Sequence, residues 1–204
     1  KIEDNLVDNF LKGNFDMSDL LYIIASPRGS FSKSVKVGDA FVESYSRANP
    51  SHDVDRLDLW EENLPAFDGD MLEAKYAVMH GEAPTDAQNA AWDKVGLIAN
   101  RFKNAKKYVF AIPMWNFGIP YLLKQYIDII SQPGLTWGLT PDSNYVGLVD
   151  GKVFAVYSSG GSFSEGSDDL QKSYFKSWLE FVGLELVEQL VVAPTLAPAE
   201  ELEK

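Results

Sequence analysis

No cysteine occurs among the 204 residues, so disulfides, thiolate metal sites and thiol nucleophiles are excluded together. Any redox chemistry therefore belongs to a bound cofactor. Histidine is almost as scarce. His52 and His80 lie far apart in sequence, and neither has a carboxylate at metal-ligand spacing, so both read as ordinary surface or loop residues and no metal site is expected. No apolar run approaches the roughly 18 residues a membrane span requires, and no charged-then-apolar leader is present, which predicts a soluble, cytoplasmic protein. Cations are the minority charge. With 18 Lys and Arg against 30 Asp and Glu, the formal charge is -12, which argues against a surface that neutralises phosphate backbones. Nucleic acid is not an expected partner. Two nucleotide-binding signatures are also missing: neither G-x-G-x-x-G nor G-x-x-x-x-G-K-[ST] follows any strand-like run.

What is present is enough apolar material, 46% of residues with 13% aromatic, for the core of one domain. Apolar strand-like runs alternate five times with segments of helical period, the pattern of a parallel sheet covered on both faces. The predicted strands are Leu20 to Ala25, Asp53 to Leu59, Tyr108 to Pro113, Lys152 to Ser158 and Glu185 to Ala193. Between them, Val37, Phe41 and Tyr45 mark a helix from about Ser32 that ends at Asn49-Pro50. Thr85-Asp86-Ala87-Gln88 forms a capping box, and Ala91, Val95, Ile98 and Phe102 continue it as one stripe, predicting a helix over 85–102. Further helices are expected over 120–130, with Pro120 at its first position, and over 168–182. The long loop 60–84 leaves room for a short helix over 71–79, and the Gly-, Pro- and Asn-rich loop 131–151 for a small hairpin. Residues 1–16 fall outside the alternation and read as an amino-terminal extension or leader, with an amphipathic helix as the alternative; 17–204 form a single domain. After the fifth strand only about one turn of a closing helix remains, which predicts an under-covered sheet edge.

In open α/β sheets, ligands sit outside the carboxyl ends of the strands, which confines the search to three loops. The first, Ser26-Pro27-Arg28-Gly29-Ser30-Phe31-Ser32-Lys33-Ser34, is a hydroxyl-rich turn entering a helix. Unsatisfied N–H groups of a first helical turn suit one monophosphate, although Ser32 as a plain N-cap accounts for the turn equally well. The second, Pro113-Met114-Trp115-Asn116-Phe117-Gly118-Ile119, puts large aromatics on a turn between a strand and a helix; the third is Ser158-Ser159-Gly160-Gly161-Ser162. Aromatics that stack and glycines that admit close backbone approach suit a planar ring, and all three turns together suit an isoalloxazine carrying a phosphate tail.

In these motifs the chain, from about 17 to 193, resembles the FMN-dependent NADH-azoreductase family of flavodoxin-like NAD(P)H:quinone oxidoreductases. The resemblance implies a three-layer flavodoxin-like α/β sandwich with strand order 2-1-3-4-5, and non-covalent FMN with NADH or NADPH as co-substrate. Hydride would pass to quinones and azo compounds by a ping-pong route, in a homodimer whose second chain helps wall each pocket. It assigns Ser26, Ser32, Lys33 and Ser34 to the phosphate and ribityl chain, Pro113, Met114, Trp115, Asn116 and Phe117 to the ring, and Ser158, Ser159, Gly160 and Gly161 to its pyrimidine edge. No side chain is an acid or base; the backbone of Asn116, Phe117, Gly160 and Gly161 provides electrostatic support. Trp137, Leu139, Trp178 and Phe181 are candidate walls of the acceptor pocket, with a core role as the alternative for Trp178 and Phe181. A flavodoxin-type single-electron carrier and an inactive FMN-binding module are the competing readings.

Overall fold

A computed structural model describes residues 18–80, 85–163 and 169–196. The expected extension over 1–16 and the chain beyond 196 lie outside the described residues. In chain order, β1 (Leu20–Ile24) leads through a 3-10 turn at Gly29–Phe31 to α1 (Lys33–Ala48), then β2 (Val54–Asp58), α2 (Gly69–His80), α3 (Asp86–Lys103) and β3 (Lys107–Pro113). The chain continues as α4 (Tyr121–Ile130), β4 (Trp137–Leu139), β5 (Tyr145–Gly147), β6 (Lys152–Ser158), α5 (Leu170–Val182) and β7 (Glu185–Val192). Five strands form one parallel sheet in the order β2-β1-β3-β6-β7, which is the expected 2-1-3-4-5 once β4 and β5, an antiparallel hairpin of their own, are set aside.

β1 shows why the sheet reads as an unbroken apolar run. Leu21 and Ile23 enter the larger core with α3, α4 and α5, whereas Leu20, Tyr22 and Ile24 point to the opposite face, where they cluster with Val35 of α1. Burial on both faces removes the polar alternation that a half-exposed strand would show. The edge strands are the exceptions: Leu57 alone is buried in β2, and Val187, Leu190 and Val191 of β7 are exposed among the described residues; the expected closing turn after β7 lies outside them.

Helix ends follow local chemistry, with two departures from expectation. Thr85 caps α3 in a complete capping box: its hydroxyl accepts from the Gln88 N–H at 3.2 Å, and the Gln88 side chain accepts from the Thr85 N–H at 2.8 Å. Pro120, by contrast, stands just before α4 rather than in its first turn, with ψ 147°. Ser32 precedes α1 without capping it. Arg101 of α3 donates to both oxygens of Asp55 on β2 at 2.8 Å and to Glu62 at 2.9 Å, fixing the start of the loop after β2 against the sheet.

Candidate functional site

The three turns converge at the carboxyl ends of β1, β3 and β6 on a cavity of about 190 Å³. Its first wall is the turn into α1. Ser26 and Ser32 are buried, and the Ser32 hydroxyl pairs with that of Ser34 at 3.2 Å instead of turning onto the helix. The first helical hydrogen bond runs from the Lys36 N–H to the Ser32 carbonyl, so the N–H groups of Lys33, Ser34 and Val35 keep no intrahelical acceptor and no side-chain cap. An open helix start carries partial positive charge, and the exposed Arg28 and Lys33 add two full charges at the same rim. That combination is suited to a compact dianion.

The second wall is held to the third by a hydrogen bond from the Met114 N–H to the Ser158 carbonyl at 2.7 Å. Beyond Met114, Trp115 and Gly118 exchange reciprocal N–H to C=O bonds at 2.9 and 3.0 Å, and the two residues between them have φ of 48° (Asn116) and 69° (Phe117). This is a two-residue type I′ turn, a geometry that favours Asn-Gly and is costly for phenylalanine. Strain of this kind concentrates at ligand sites. Among the described residues no backbone acceptor takes the N–H of Asn116 or Phe117, which leaves both free to donate. Trp115, one-third exposed, is braced by Trp60 at 5.7 Å and Tyr121 at 6.1 Å between ring centroids. Trp60 stands five residues past Asp55 and two before Glu62, so the Arg101 anchor also steadies the ring that steadies Trp115.

In the third wall Ser158 and Ser159 are buried, and the Ser159 hydroxyl donates to the Gly161 carbonyl at 2.7 Å. Chain leaving β7 folds over this loop. The Thr195 N–H and hydroxyl donate to the Ser159 carbonyl at 2.9 and 3.0 Å, and the Leu196 N–H donates to Gly160 at 3.3 Å. A Cβ on Gly160 would sit 2.6 Å from Cδ1 of the exposed Leu196, so any side chain there would have to push that leucine aside. A Cβ on Gly161 would meet nothing within 4 Å, leaving its outer side open.

Of the residues expected here, Ser26, Ser32, Lys33, Pro113, Met114, Trp115, Ser158, Ser159 and Gly160 line the cavity. Ser34 is buried behind Ser32, while Asn116, Phe117 and Gly161 stand on the adjoining loop tips. Arg28, Thr195 and Leu196 also line it and were not foreseen. Arg28 lay within the first motif and was legible as a cation beside an anion site; Thr195 and Leu196 follow the edge strand β7, outside the three loops expected to bind, and reach the site because Val192 pairs with Ser158 at the same rim.

The four candidate walls are not brought to this cavity within one chain. Trp178 is a core residue, 6% exposed, with its indole N–H donating to the Ser131 hydroxyl at 3.0 Å. Trp137, Tyr145 and Phe181 form a ring cluster with centroids 5.4 to 5.7 Å apart, and Leu139 is exposed on the same hairpin. The hairpin packs where α5 ends, through the Val149 N–H to the Val182 carbonyl, beside the amino ends of β6 and β7. Seven residues of β6 separate it from the cavity, roughly 20 Å of strand.

The donor set fits FMN. An open helix start with two cations suits a phosphate, buried hydroxyls suit a polyol, and free turn N–H groups beside a braced indole suit a polar-edged flat ring. Among the described residues no helix is long and apolar enough to cross a membrane.

Comparison with known proteins gives the same direction. Residues 18–204 match the family described as flavodoxin-like fold. An FMN-dependent NADH:quinone oxidoreductase of Desulfotalea psychrophila is 45% identical over 192 residues, covering 92% of this chain and 91% of that protein. One from Nitratidesulfovibrio vulgaris is 47% identical over 186 residues, covering 89% and 88%. Among solved structures, an azoreductase from Bacillus anthracis str. Sterne superposes with a TM-score of 0.82 at 32% identity, covering 92% of each chain. An FMN-dependent NADH-azoreductase of Bacillus anthracis str. Ames Ancestor, in complex with FMN, gives 0.79 at 27% identity over 92% of this chain and 93% of that one. With its sheet order, its three converging turns and relatives of this similarity along nearly its whole length, the chain belongs to the flavodoxin-like-fold family, in the group of FMN-dependent NADH:quinone oxidoreductases and azoreductases.

Proposed function

We propose that this chain is a cytoplasmic, homodimeric, FMN-dependent oxidoreductase that takes hydride from NADH or NADPH and delivers it to quinones and azo compounds by a ping-pong route. The observation that carries the reading is the cavity itself: an uncapped helix start with Arg28 and Lys33 at one end, and a strained aromatic turn beside a glycine loop at the other. When bound, FMN supplies the hydride chemistry. The protein binds and orients. The N–H groups of Lys33, Ser34 and Val35 with the hydroxyls of Ser26 and Ser32 receive the phosphate and the polyol chain. The N–H groups of Asn116 and Phe117 present donors to one edge of the ring, and those of Gly160 and Gly161 to the edge where negative charge accumulates on reduction.

Leu139 and Tyr145, exposed beside the half-buried rings of Trp137 and Phe181, support the dimer, since their apolar surface faces outward in a single chain. In our reading it closes over the cavity of the second copy and supplies the acceptor wall. The deciding experiment is the absorption spectrum of the purified protein, followed by mixing with NADH and a quinone. The expected result is a yellow protein that releases FMN on denaturation and turns over directly. Bound FMN without direct turnover would favour a single-electron carrier, which the -12 charge also suits. A colourless protein that refuses added FMN would overturn the reading.

A further inference from the structure

Gln171 is the second residue of α5, and its side chain is 1% exposed among apolar neighbours. Burying an amide there is costly unless its hydrogen bonds are met. The Gln171 Nε2 donates to the Ile112 carbonyl at 3.1 Å. The position of that carbonyl matters more than the bond itself. Ile112 is paired with Tyr157, and the next pair, Pro113 with Ser158, is where both ring-facing loops leave the sheet. α5 is seated over this place by its own N-cap: Asp169 accepts from the Lys172 N–H at 3.1 Å and bonds the Lys172 ammonium at 3.0 Å. The Tyr157 hydroxyl beneath it is buried without a partner among the described residues, and burial together with the nearby Asp169 carboxylate pushes that phenol up, so it stays neutral. The start of α5 thus lies directly against the end of β3, and the Gln171 amide is the side-chain bond that joins them.

The geometry points to Gln171 as a positioning residue for FMN: by fixing the end of β3 to α5, it holds the Pro113 to Phe117 loop at the height and tilt at which its N–H groups meet the ring. This deepens the reading of the cavity as an FMN site and rests on it. A ring platform misplaced by about 1 Å loses a large part of its advantage, which makes an otherwise costly buried amide worth keeping.

The test compares apoprotein reconstituted with FMN, following flavin fluorescence for affinity and circular dichroism for melting. Gln171→Met keeps the shape of the side chain and deletes the donor. The expected result is a dissociation constant raised about tenfold, with a loss of melting temperature smaller than that of Leu179→Ala, a cavity variant further along the same buried helix face. Leu179→Ala should leave FMN affinity within about twofold. Affinity unchanged in Gln171→Met, or lost equally in Leu179→Ala, overturns the inference, because the amide would then be only a core residue. If Gln171→Met does not fold, Gln171→Glu replaces it. Its affinity relative to the parent should be highest at low pH, where the protonated carboxyl can donate to Ile112, and should fall as the group ionises. A flat ratio across pH overturns the inference. Failure of the unsubstituted protein to take up FMN would show before any variant is made, and would overturn the cavity reading along with it.

Discussion

At the scale of single residues, the turn at Asn116-Phe117 sets backbone comfort against ligand geometry. Its aromatic content was legible in the sequence and its conformation was not: phenylalanine rarely adopts positive φ, so nothing in Trp-Asn-Phe-Gly announces a type I′ turn with Phe117 at 69°. Phe117→Gly would create Asn-Gly, the preferred pair for this turn, and remove about 1 kcal/mol of strain. The opposing loss is a half-exposed ring making an edge contact with Phe163 at 6.2 Å. Thermal melting of the apoprotein should therefore show Phe117→Gly to be at least as stable as the parent, while its quinone turnover falls several-fold. A clear drop in melting temperature would show that the ring is a structural anchor rather than a strained functional element. Ser32 carries the converse lesson. A serine before a helix announces a cap, yet its hydroxyl bonds Ser34 and leaves the helix start open, a choice no local rule reveals.

At the scale of elements, the pattern located every strand of the main sheet to within about a residue: the central β1, β3 and β6, buried on both faces, leave long apolar runs, while the edge strands β2 and β7 mix apolar with charged or polar residues. What stayed hidden was how elements approach one another. The α1 helix meets β1 through Gly38, where a Cβ would fall 2.9 Å from Cζ of Tyr22 and closer still to its hydroxyl. That ring is fully buried, and its hydroxyl donates to the Val35 carbonyl at 3.2 Å, so it cannot yield. By helix propensity alone Gly38→Ala should stabilise by about 1 kcal/mol. Overpacking reverses the sign, and the expected outcome is destabilisation of about 1–3 kcal/mol in urea unfolding. Because the first turn of α1 forms the anion site, FMN binding should weaken in the same variant. Stabilisation would mean that α1 can lift from the sheet without cost.

At the scale of the whole molecule, composition had already excluded thiol chemistry and thiolate metal sites, but it could not say what the hairpin does. The cluster of Trp137, Leu139, Tyr145 and Phe181 acquires a role only if a second copy covers it. Leu139→Asp, which puts a charge on a residue already exposed in one chain, should leave monomer stability within about 0.5 kcal/mol yet shift the mass in solution from two chains toward one, as light scattering would register. A mass unaffected by this change would overturn the hairpin as a dimer contact. The net charge of -12 makes a separate prediction. NADH is an anion, and the nearest cations, Arg28 and Lys33, are matched by the FMN phosphate once it is bound, so the approaching nicotinamide nucleotide meets the repulsion of the whole acidic surface. Raising ionic strength from about 0.01 to 0.1 M shortens the screening length from about 30 to 10 Å, which removes most of that repulsion. The kcat/KM for NADH should therefore rise about twofold or more over this range, whereas the kcat/KM for an uncharged quinone should stay flat. If the NADH value fell instead, a local cationic steering patch would outweigh the global field, and Arg28→Ala would be the variant to remove it.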